Sequence, residues 1–439
     1  MSNQKSIDIM IFEQLQQFRQ RIYDCFGKAK DALFELMDAV LCSASIASYV
    51  SLSQSPVFRR RWPSVYAALG DGRIHRAQVM RELVQEIPTT AQPVLVGDSS
   101  LWERPDAETM PDRGFHHNGK AGIGVGHSYS SIAWVPDTPG SWALPLRHER
   151  ITSFENGLTK AAFQLRQVTG QLAVRPVGVY DRYYGNAKFV NLTAGIEADL
   201  LLRLASNRCV YGVPPAYSGR GAPHKHGDKF KFNDPQTHRE PSQMLEVDDP
   251  DFGRLRLTRW SHLHFRQAPT RDMEIVCVEV IVPLKRRRAF KPLWLAWLGL
   301  SLPNLDDLWR QYLRRFSIEH WYRFAKQRLY WTEPLITANQ AAERWTDLVV
   351  LMSWQLWLAR ADCIDSPLPW QAPQQDLSPG RVAQAFPTII VAIGTPAKAP
   401  KLRGKSPGRA KGQSQPPRIR FPTVKKRVAK SKKTKSLAA

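Results

Sequence analysis

A fifteen-residue stretch, YLRRFSIEHWYRFAK, carries side chains that could act together on a charged substrate. At about 100° per residue, an α-helix would place five of them on one quarter of its circumference: Tyr312, Arg315, Glu319, Arg323 and Lys326. A cationic helix face that carries a single carboxylate suits binding of a polyanion next to a metal ion. An ordinary surface helix with intrahelical ion pairs would have the same spacing, so the stretch alone leaves both interpretations open.

A second stripe on the same predicted helix is mainly apolar. Its members recur every three or four residues, which is the period of one helix face: Trp309, Leu313, Phe316, His320 and Phe324. We therefore expect this second stripe to pack against the protein core, while the cationic stripe faces the substrate.

Two further acids stand where strands are expected to end. The run VLVGDSS leads from three apolar residues into Asp98, and PVGVYDRYYGN leads in the same way into Asp181. The carboxyl ends of buried strands commonly hold the reactive groups of α/β proteins. Together with Glu319, these carboxylates are the hard oxygen ligands that Mg²⁺ and Mn²⁺ prefer, and two such ions could catalyse phosphoryl transfer. The three acids are far apart in the sequence, so only the folded chain can assemble them.

Length and charge narrow the class of protein. A chain of 439 residues is long enough for two or three domains, and its 43% of hydrophobic residues can form a sizeable core. The formal net charge is +23, and the segment from Thr395 contributes 15 Lys or Arg and no Asp or Glu. Such basicity favours nucleic acid or an anionic membrane surface as a partner. Membrane insertion is disfavoured because the longest apolar runs are about ten residues, and the N-terminus lacks a signal-peptide pattern.

Neither the cysteines nor the histidines form a recognisable site. The five cysteines are odd in number and far apart, which predicts reduced core residues of a cytosolic protein rather than disulfides. The histidines between residues 224 and 264 match no structural zinc spacing, and their basic loop SGRGAPHKHGDKFKF is better suited to contacting phosphates. The run GIGVG lacks both the GxGxxG pattern and a Walker lysine, which favours strand glycines over a nucleotide-binding loop.

The order of patterns predicts an α/β protein with flanking segments. Helical periodicity covers residues 1–90, strand-length apolar runs begin near residue 93, and a second long helix, AAERWTDLVVLMSWQLWLAR, follows the one that holds Glu319. The predicted divisions are an N-terminal helical domain for DNA binding or dimerisation (1–90), the first part of the core (91–204), a β-rich insertion (205–300), the catalytic helix and the helix after it (301–362), a Pro-rich linker with a short helix (363–394) and a disordered basic tail (395–439).

Four residues of the opening stretch fit the pattern Tyr-x2-Arg-x3-Glu-x6-Lys: Tyr312, Arg315, Glu319 and Lys326. In this the chain resembles a large group of bacterial insertion-sequence DDE transposases that have a ribonuclease H-like core. Asp181 followed by Arg182 resembles the second-aspartate motif of that group, and VLVGDSS resembles the first. The resemblance spans about Val94 to Leu358, and the order of strands, helix, β-rich insertion and glutamate helix fits that core.

The resemblance implies a mixed-sheet, ribonuclease H-like fold and a set of site residues. The implied catalytic metal ligands are Asp98, Asp181 and Glu319, which would hold two Mg²⁺ ions, with Mn²⁺ as a substitute. The implied DNA-binding residues are Tyr312, Arg315 and Lys326. We add Arg323 to the DNA-binding set because it lies on the same predicted helix face.

The activity implied by the resemblance is cut-and-paste DNA transposition. Its partners would be double-stranded DNA, at the terminal inverted repeats and at the target, and a second protomer that pairs the ends in the bacterial cytoplasm, on the nucleoid. A base near the cleaved end could flip out and stack on Trp260, which could instead be a core residue. Two other functions stay open: a non-catalytic DNA-binding protein derived from a transposase, and a structure-specific ribonuclease H-like nuclease.

Overall fold

The computed structural model describes residues 12–425 except 47, 118–121, 139, 285–289, 402–407, 409 and 415. Helices precede the first strand: α1 Glu13–Asp24, α2 Lys30–Cys42, α3 Tyr49–Leu52, α4 Pro63–Asp71 and α5 Arg76–Gln85. The predicted apolar period of α1 is its buried face, with Leu15, Phe18 and Ile22 at most 1% exposed. This face joins the same hydrophobic core as the rest of the chain, so the N-terminal helices pack on the sheet-bearing part of the protein.

A buried ion pair fixes the first two helices to each other. The Arg19 guanidinium donates to both carboxylate oxygens of Asp38, at 2.8 and 2.9 Å, and both side chains are at most 2% exposed. Arg19 also donates to the side chain of Gln355 and, at 3.2 Å, to the carbonyl of Gly394. Since a buried charge is tolerated only when it is paired, these contacts tie the N-terminal helices to the C-terminal ones.

One mixed sheet organises the middle of the chain. Its strands are β1 Val94–Glu103, β2 Gly114–His117, β3 Ile123–Val135, β4 Leu144–Arg150, β5 Val177–Tyr180, β6 Asp199–Leu204, β7 Cys209–Tyr211, β8 Lys229–Lys231, β9 Gln243–Asp249, β10 Gly253–Phe265, β11 Ala268–Pro283 and β12 Leu293–Leu298. They are ordered β2-β3-β1-β5-β6-β12-β11-β10-β7-β8, with β4 on β3 and β9 on β10. Only β1, β5 and β6 pair in parallel among these strands. The predicted α/β class with a mixed sheet is confirmed, and the sheet is compatible with a ribonuclease H-like core.

Helices cover this sheet and supply the parallel crossovers. After β4 comes α6, Gly157–Thr169, and after β5 comes the short α7, Ala187–Leu192. The side chain of Asn156 accepts the Thr159 N–H at 3.0 Å, and this capping box starts α6. The long helix predicted near the C-terminus is α10, Asn339–Ala359, which is buried over most of its length and packs on β4. Its apolar stripe is therefore core, as the sequence indicates.

The strand-rich region continues the same sheet. Strand β12 pairs with β6 on one side and with β11 on the other, so the core sheet and the β-rich strands share one hydrogen-bonded ladder. The domain boundaries themselves stay predictions.

Trp260 on β10 is 6% exposed, donates to the Arg239 carbonyl at 2.8 Å and stacks on Trp294, with the ring centroids 5.6 Å apart. The base-stacking interpretation of Trp260 is thus wrong for this conformation, because its faces are covered by the core.

The single helix predicted around Glu319 is two helices. α8 covers Leu305–Arg314 and α9 covers Phe316–Gln327, with Arg315 between them. The predicted apolar stripe is also not the packed face of α9: Phe316 is 39% exposed, whereas Ile318 and Trp321 are at most 3% exposed. The expectation of one continuous helix was wrong: Arg315 keeps α-helical dihedral angles, at φ −55° and ψ −33°, but its N–H bonds to the Tyr312 carbonyl at 3.1 Å in a three-residue turn that separates the helices.

The last described helix begins where the sequence places a cap. α11 covers Pro379–Ile393, with Ser378 as its N-cap and proline at its first position.

The segment that follows α11 contacts the N-terminal helices. Arg59 and Arg60 donate to the carbonyls of Ala397 and Lys398, at 2.6 and 2.8 Å. Near Phe421 the tail donates backbone hydrogen bonds to the Glu108 and Arg113 carbonyls, and the predicted disorder of the tail stays a prediction. Part of that prediction falls on residues 402–407, 409, 415 and 426–439, which lie outside the described residues.

Two expectations from composition can be compared with the structure directly. All five cysteines are free thiols, as predicted. Within the described part of the chain, no helix combines the length and apolarity needed to cross a bilayer.

Candidate functional site

The fold brings Asp98 and Asp181 to neighbouring positions. Strands β1 and β5 pair in parallel, and the last pair in that register is Gly97 with Tyr180. The next residue on each strand is an aspartate, so both carboxylates leave the same edge of the ladder side by side. Sequence reasoning placed each acid at a strand end. Asp181 directly follows the last residue of β5, whereas the prediction is wrong for Asp98, which lies in the middle of β1 and pairs with Ser131 of β3. The parallel pairing of β1 with β5 makes the two acids adjacent.

Local backbone contacts hold each aspartate. Asp98 Oδ1 accepts the Ser99 N–H at 2.7 Å, and Asp181 Oδ1 accepts the Tyr183 N–H at 2.9 Å. The second contact closes an Asx-type turn that directs the chain out of β5. A Cβ atom added at Gly97 would lie 2.0 Å from the Tyr180 ring, so glycine is required for the two strands to approach here.

Glu319 reaches this edge from the first turn of α9. Arg315 Nη2 donates to Glu319 Oε1 at 2.6 Å, and Nη1 lies 3.7 Å from Asp98 Oδ2. The arginine is 4% exposed, whereas the Glu319 side chain is half exposed. Because the helix breaks at Arg315, its guanidinium points inward and bridges the acid of the strand and the acid of the helix. The structure therefore groups Asp98, Asp181, Glu319 and Arg315.

The clustered charges perturb Asp98. Burial raises the pKa of its carboxyl to about 7, and the negative charges of Asp181 and Glu319 add to the rise. The Ser99 N–H and Arg315 act in the opposite direction without cancelling it. Repulsion among acids that the fold forces together is the signature of a site built for a positive charge.

The donor set fits a divalent metal ion in kind and in charge. Asp98, Asp181 and Glu319 offer hard carboxylate oxygens, and a cation would relieve the repulsion that raises the Asp98 pKa. Within the described residues, no three acidic, histidine or cysteine side chains already converge as a metal cage. Glu319 is bonded to Arg315, so it would have to exchange that partner for a metal ion.

The remaining predicted site residues occupy three different environments. Tyr312 is 1% exposed, and its hydroxyl has no hydrogen-bond partner within the described residues. Lys326 Nζ donates to the Leu101 carbonyl at 3.1 Å on β1, and burial lowers the pKa of its amino group. Arg323 is exposed on α9. Arg323 is exposed, Lys326 is partly exposed and Tyr312 is buried, and contact of each of the three with DNA stays a prediction.

A family comparison decides the class of this chain. A family model described as "DDE superfamily endonuclease" matches residues 21–268. The chain belongs to this family. Among curated proteins, no sequence matches it significantly. DDE superfamily endonucleases have nuclease- or transposase-type activity and generally use divalent metal ions. The match includes Asp98 and Asp181 and ends before Glu319, so the Tyr-Arg-Glu-Lys signature rests on the sequence pattern.

A polar groove leads away from the acids of this DDE endonuclease. It encloses about 720 Å³, and its lining includes Ser99 and Tyr183, which bond to Asp98 and Asp181 through their backbone N–H groups, but neither aspartate itself. Its other lining residues include Glu103, His116, Asn156 and Lys326. The groove follows β1 toward β2, the strand at the end of the sheet order. A strand of nucleic acid lying in it would pass the carboxylate cluster at one end and Lys326 along its course.

Sequence reasoning missed a series of buried hydrogen bonds close to Asp98. Tyr322 Oη donates to Ser131 Oγ at 2.8 Å, and Ser131 Oγ lies 2.7 Å from His148 Nδ1. Ser131 pairs with Asp98 in the antiparallel register of β1 and β3. Burial lowers the pKa of His148 to about 3, so the ring is neutral near pH 7. These hydrogen bonds link α9 to β3 and β4. The sequence indicates them only through Tyr322, which lies three residues after Glu319 on the same helix.

Proposed function

We propose that this protein is a DNA transposase that cleaves strands at the ends of a mobile element and transfers them to target DNA by a cut-and-paste route. The observation that carries the proposal is the adjacency of Asp98 and Asp181 where the parallel pairing of β1 with β5 ends, with Glu319 linked to Asp98 through Arg315. Three carboxylates in one electrostatic cluster beside a polar groove suit metal-dependent phosphoryl transfer on a long anionic substrate.

Asp98, Asp181 and Glu319 would hold the metal ions, which we propose are two Mg²⁺ that Mn²⁺ can replace. Bound there, the ions would activate the attacking oxygen and stabilise the leaving oxygen of a phosphodiester. Asp98 must lose its proton to serve as a ligand, and its raised pKa makes this loss depend on pH near neutrality. The backbone N–H groups of Ser99 and Tyr183 orient the two aspartates in the ionised form.

Cationic residues around the acids would bind the DNA. Arg315 is buried beside the cluster, so its positive charge is screened little by solvent and would neutralise the phosphate that undergoes cleavage. Lys326 would contact the backbone of the strand in the groove, and exposed Arg323 would contact it farther out. Tyr312 packs beside Arg315 and would act by positioning it, with the guanidinium carbon 6.0 Å from the tyrosine ring centroid.

The assembly that acts would be a homodimer with one protomer at each end of the element. Its partners would be double-stranded DNA of the terminal inverted repeats and of the target, in the cytoplasm with the nucleoid. The net charge of +23, of which the segment from Thr395 contributes 15, favours DNA over uncharged partners.

The test uses DNA that flanks the gene, including any inverted repeats on both sides. We expect Mg²⁺-dependent cleavage at the repeat ends and joined products with a second, unrelated DNA. Asp98→Asn, Asp181→Asn and Glu319→Gln should each lower cleavage by at least roughly a hundredfold, because loss of a metal ligand should cost no less than loss of an outer-shell partner. Asp272→Asn is the matched control, since that aspartate lies on β11 and its side chain is 59% exposed.

The outcomes separate the competing functions. Cleavage and joining that the three variants lose and the control keeps support the transposase. Cutting of branched DNA without repeats, and with no joined products, indicates a structure-specific nuclease. DNA binding that survives chelation, with no cleavage at any Mg²⁺ or Mn²⁺ concentration, indicates a non-catalytic DNA-binding protein. Cleavage that persists in Asp98→Asn refutes the site assignment.

A further inference from the structure

A buried tyrosine lies next to the two aspartates of the candidate site. Tyr184 is 1% exposed and follows Asp181 by three residues, and its N–H donates to the Asp181 carbonyl at 3.1 Å. Its ring packs on Tyr180, with the ring centroids 5.0 Å apart. Tyr180 in turn pairs with Gly97, the residue before Asp98. This packing therefore places the buried tyrosine beside both strands that carry the aspartates.

The hydroxyl of Tyr184 is an unused hydrogen-bond donor. It is buried and has no hydrogen-bond partner among the described residues. Burial and, after it, the negative charge of Asp98 raise the pKa of this hydroxyl well above its ordinary value, and Asp181 acts in the same direction. The hydroxyl therefore keeps its proton at neutral pH, within the electrostatic reach of two carboxylates. A buried polar group without a partner is rare in proteins, because its desolvation is not offset by a hydrogen bond.

Two nearby tyrosines each differ from Tyr184 in one respect. Burial and then the charge of Asp98 also raise the pKa of the Tyr322 hydroxyl, but that hydroxyl donates to Ser131 Oγ at 2.8 Å. The Tyr180 hydroxyl is as buried as that of Tyr184 and also has no partner among the described residues, but burial alone raises its pKa. Of these three tyrosines, Tyr184 alone combines an unused proton with nearby carboxylates.

Asp98 has an oxygen that can accept this proton. Its Oδ1 accepts the Ser99 N–H at 2.7 Å, whereas Oδ2 accepts no hydrogen bond among the described residues and lies 3.7 Å from Arg315 Nη1. Carboxylates that hold a metal ion are generally oriented by outer-shell hydrogen bonds. We propose that the Tyr184 hydroxyl donates to Asp98 Oδ2 when the site holds a divalent metal ion, and so positions this carboxylate as a ligand. The inference rests on the metal site of the proposed function and adds to it a positioning residue that acts through Asp98.

The experiment measures metal affinity of the full chain without DNA, from thermal unfolding at rising Mg²⁺ and, separately, rising Mn²⁺ concentration. Tyr184→Phe removes one oxygen and keeps the ring. Its apparent Kd for Mg²⁺ should rise about tenfold to a hundredfold, the usual effect of losing an outer-shell partner. Tyr180→Phe is the matched control, because it removes an equally buried hydroxyl that also lacks a partner among the described residues but on which no acid acts. This control should bind Mg²⁺ as the unsubstituted protein does.

Unfolding in a chelator separates a positioning role from a structural one. Removing a buried hydroxyl that has no partner should leave Tyr184→Phe at least as stable as the unsubstituted protein when no metal ion is present. A tyrosine that only supported the fold would instead lower the unfolding midpoint in chelator and leave the Mg²⁺ affinity unchanged. Cleavage of the flanking DNA by Tyr184→Phe should accordingly be slow at low Mg²⁺ and approach the rate of the unsubstituted protein at saturating Mg²⁺.

The outcomes distinguish failure of this inference from failure of the proposed function. Weaker Mg²⁺ binding by Tyr184→Phe than by Tyr180→Phe, with stability in chelator kept, supports the inference whether or not the protein cleaves DNA. Equal Mg²⁺ affinity of the two variants, or a lower unfolding midpoint of Tyr184→Phe in chelator, overturns it and leaves the metal site standing. If neither Mg²⁺ nor Mn²⁺ stabilises the unsubstituted protein, the metal site of the proposed function fails, and the role of Tyr184 fails with it.

Discussion

Replacing Asp98 by asparagine should stabilise the metal-free protein at alkaline pH while it removes activity. Asparagine keeps the acceptor for the Ser99 N–H, which lies 2.7 Å from Oδ1, and removes the charge. Burial and the nearby charge of Asp181 raise the pKa of Asp98 to about 7, so the folded protein binds this proton more tightly than the unfolded chain does. Ionisation of Asp98 therefore costs stability as the pH rises between about 4 and about 7.

The magnitude follows from the size of the pKa change. A rise from 3.8 to about 7 is about three units at about 1.36 kcal/mol each, which gives about 4 kcal/mol at pH 8 as an upper estimate. Below pH 4 both states are protonated and the penalty vanishes. The difference in free energy of unfolding between Asp98→Asn and the unsubstituted protein should thus grow by about 2 to 3 kcal/mol from pH 5 to pH 8.

The assay is urea-induced unfolding of both proteins in a chelator, at several pH values between 5 and 8. Other titrating groups are common to both proteins, so they cancel in the difference. Asp376→Asn serves as the control, since that side chain is exposed and bonds to no titratable group among the described residues, so its difference should change little with pH. A flat difference for Asp98→Asn, or a variant less stable than the parent at pH 8, would mean that Arg315 outweighs burial and repulsion at this site. In a separate measurement, with saturating Mg²⁺ in place of the chelator, the ion should stabilise the parent more than the variant, because only the parent keeps all three acids.

Three further substitutions test other parts of the structure. Gly97→Ala should destabilise the protein and abolish cleavage, because the added Cβ would lie 2.0 Å from a tyrosine ring, whereas Gly70→Ala meets no atom within 4 Å and should be tolerated in thermal unfolding and cleavage assays. Asp38→Asn should lower the free energy of unfolding by about 3 to 5 kcal/mol in urea, since Arg19 would keep a buried charge without its partner. Arg315→Lys keeps the charge but cannot bridge two acids 2.6 and 3.7 Å away, so single-turnover cleavage should fall about tenfold or more, and an unchanged rate would contradict the bridging role.

Several features of the site were readable in the sequence because they depend on local patterns. Apolar runs of strand length leading into Asp98 and Asp181 indicated two buried strands, since a buried strand needs a continuous apolar run. Only Asp181 stands at a strand end, because β1 continues past Asp98 to Glu103 beside its antiparallel partner β3. The class of fold followed from the alternation of strand-length and helical periods, and the family match agrees with it. The spacing of Arg315 and Glu319 by four residues correctly predicted that the two side chains meet.

Other features depend on contacts between distant segments. Which face of α9 is buried was decided by the break at Arg315 and by the sheet against which the helix packs, and a local period cannot report either. Composition predicted disorder for the tail, because its own residues bury little apolar surface, but the open edge of β2 offers backbone partners to the segment around Val424.

The sequence by itself determined the types of the reactive groups and the elements that carry them: two aspartates that follow apolar strand runs, and an arginine and a glutamate one helical turn apart. Tertiary structure alone decided that the strands of Asp98 and Asp181 pair in parallel, that Arg315 lies between the acid of the strand and the acid of the helix, and that burial and the neighbouring acids raise the pKa of Asp98. The physical reason is that local periodicity fixes which way a side chain points from its own element, whereas distances and electrostatic coupling between elements depend on how the whole chain packs.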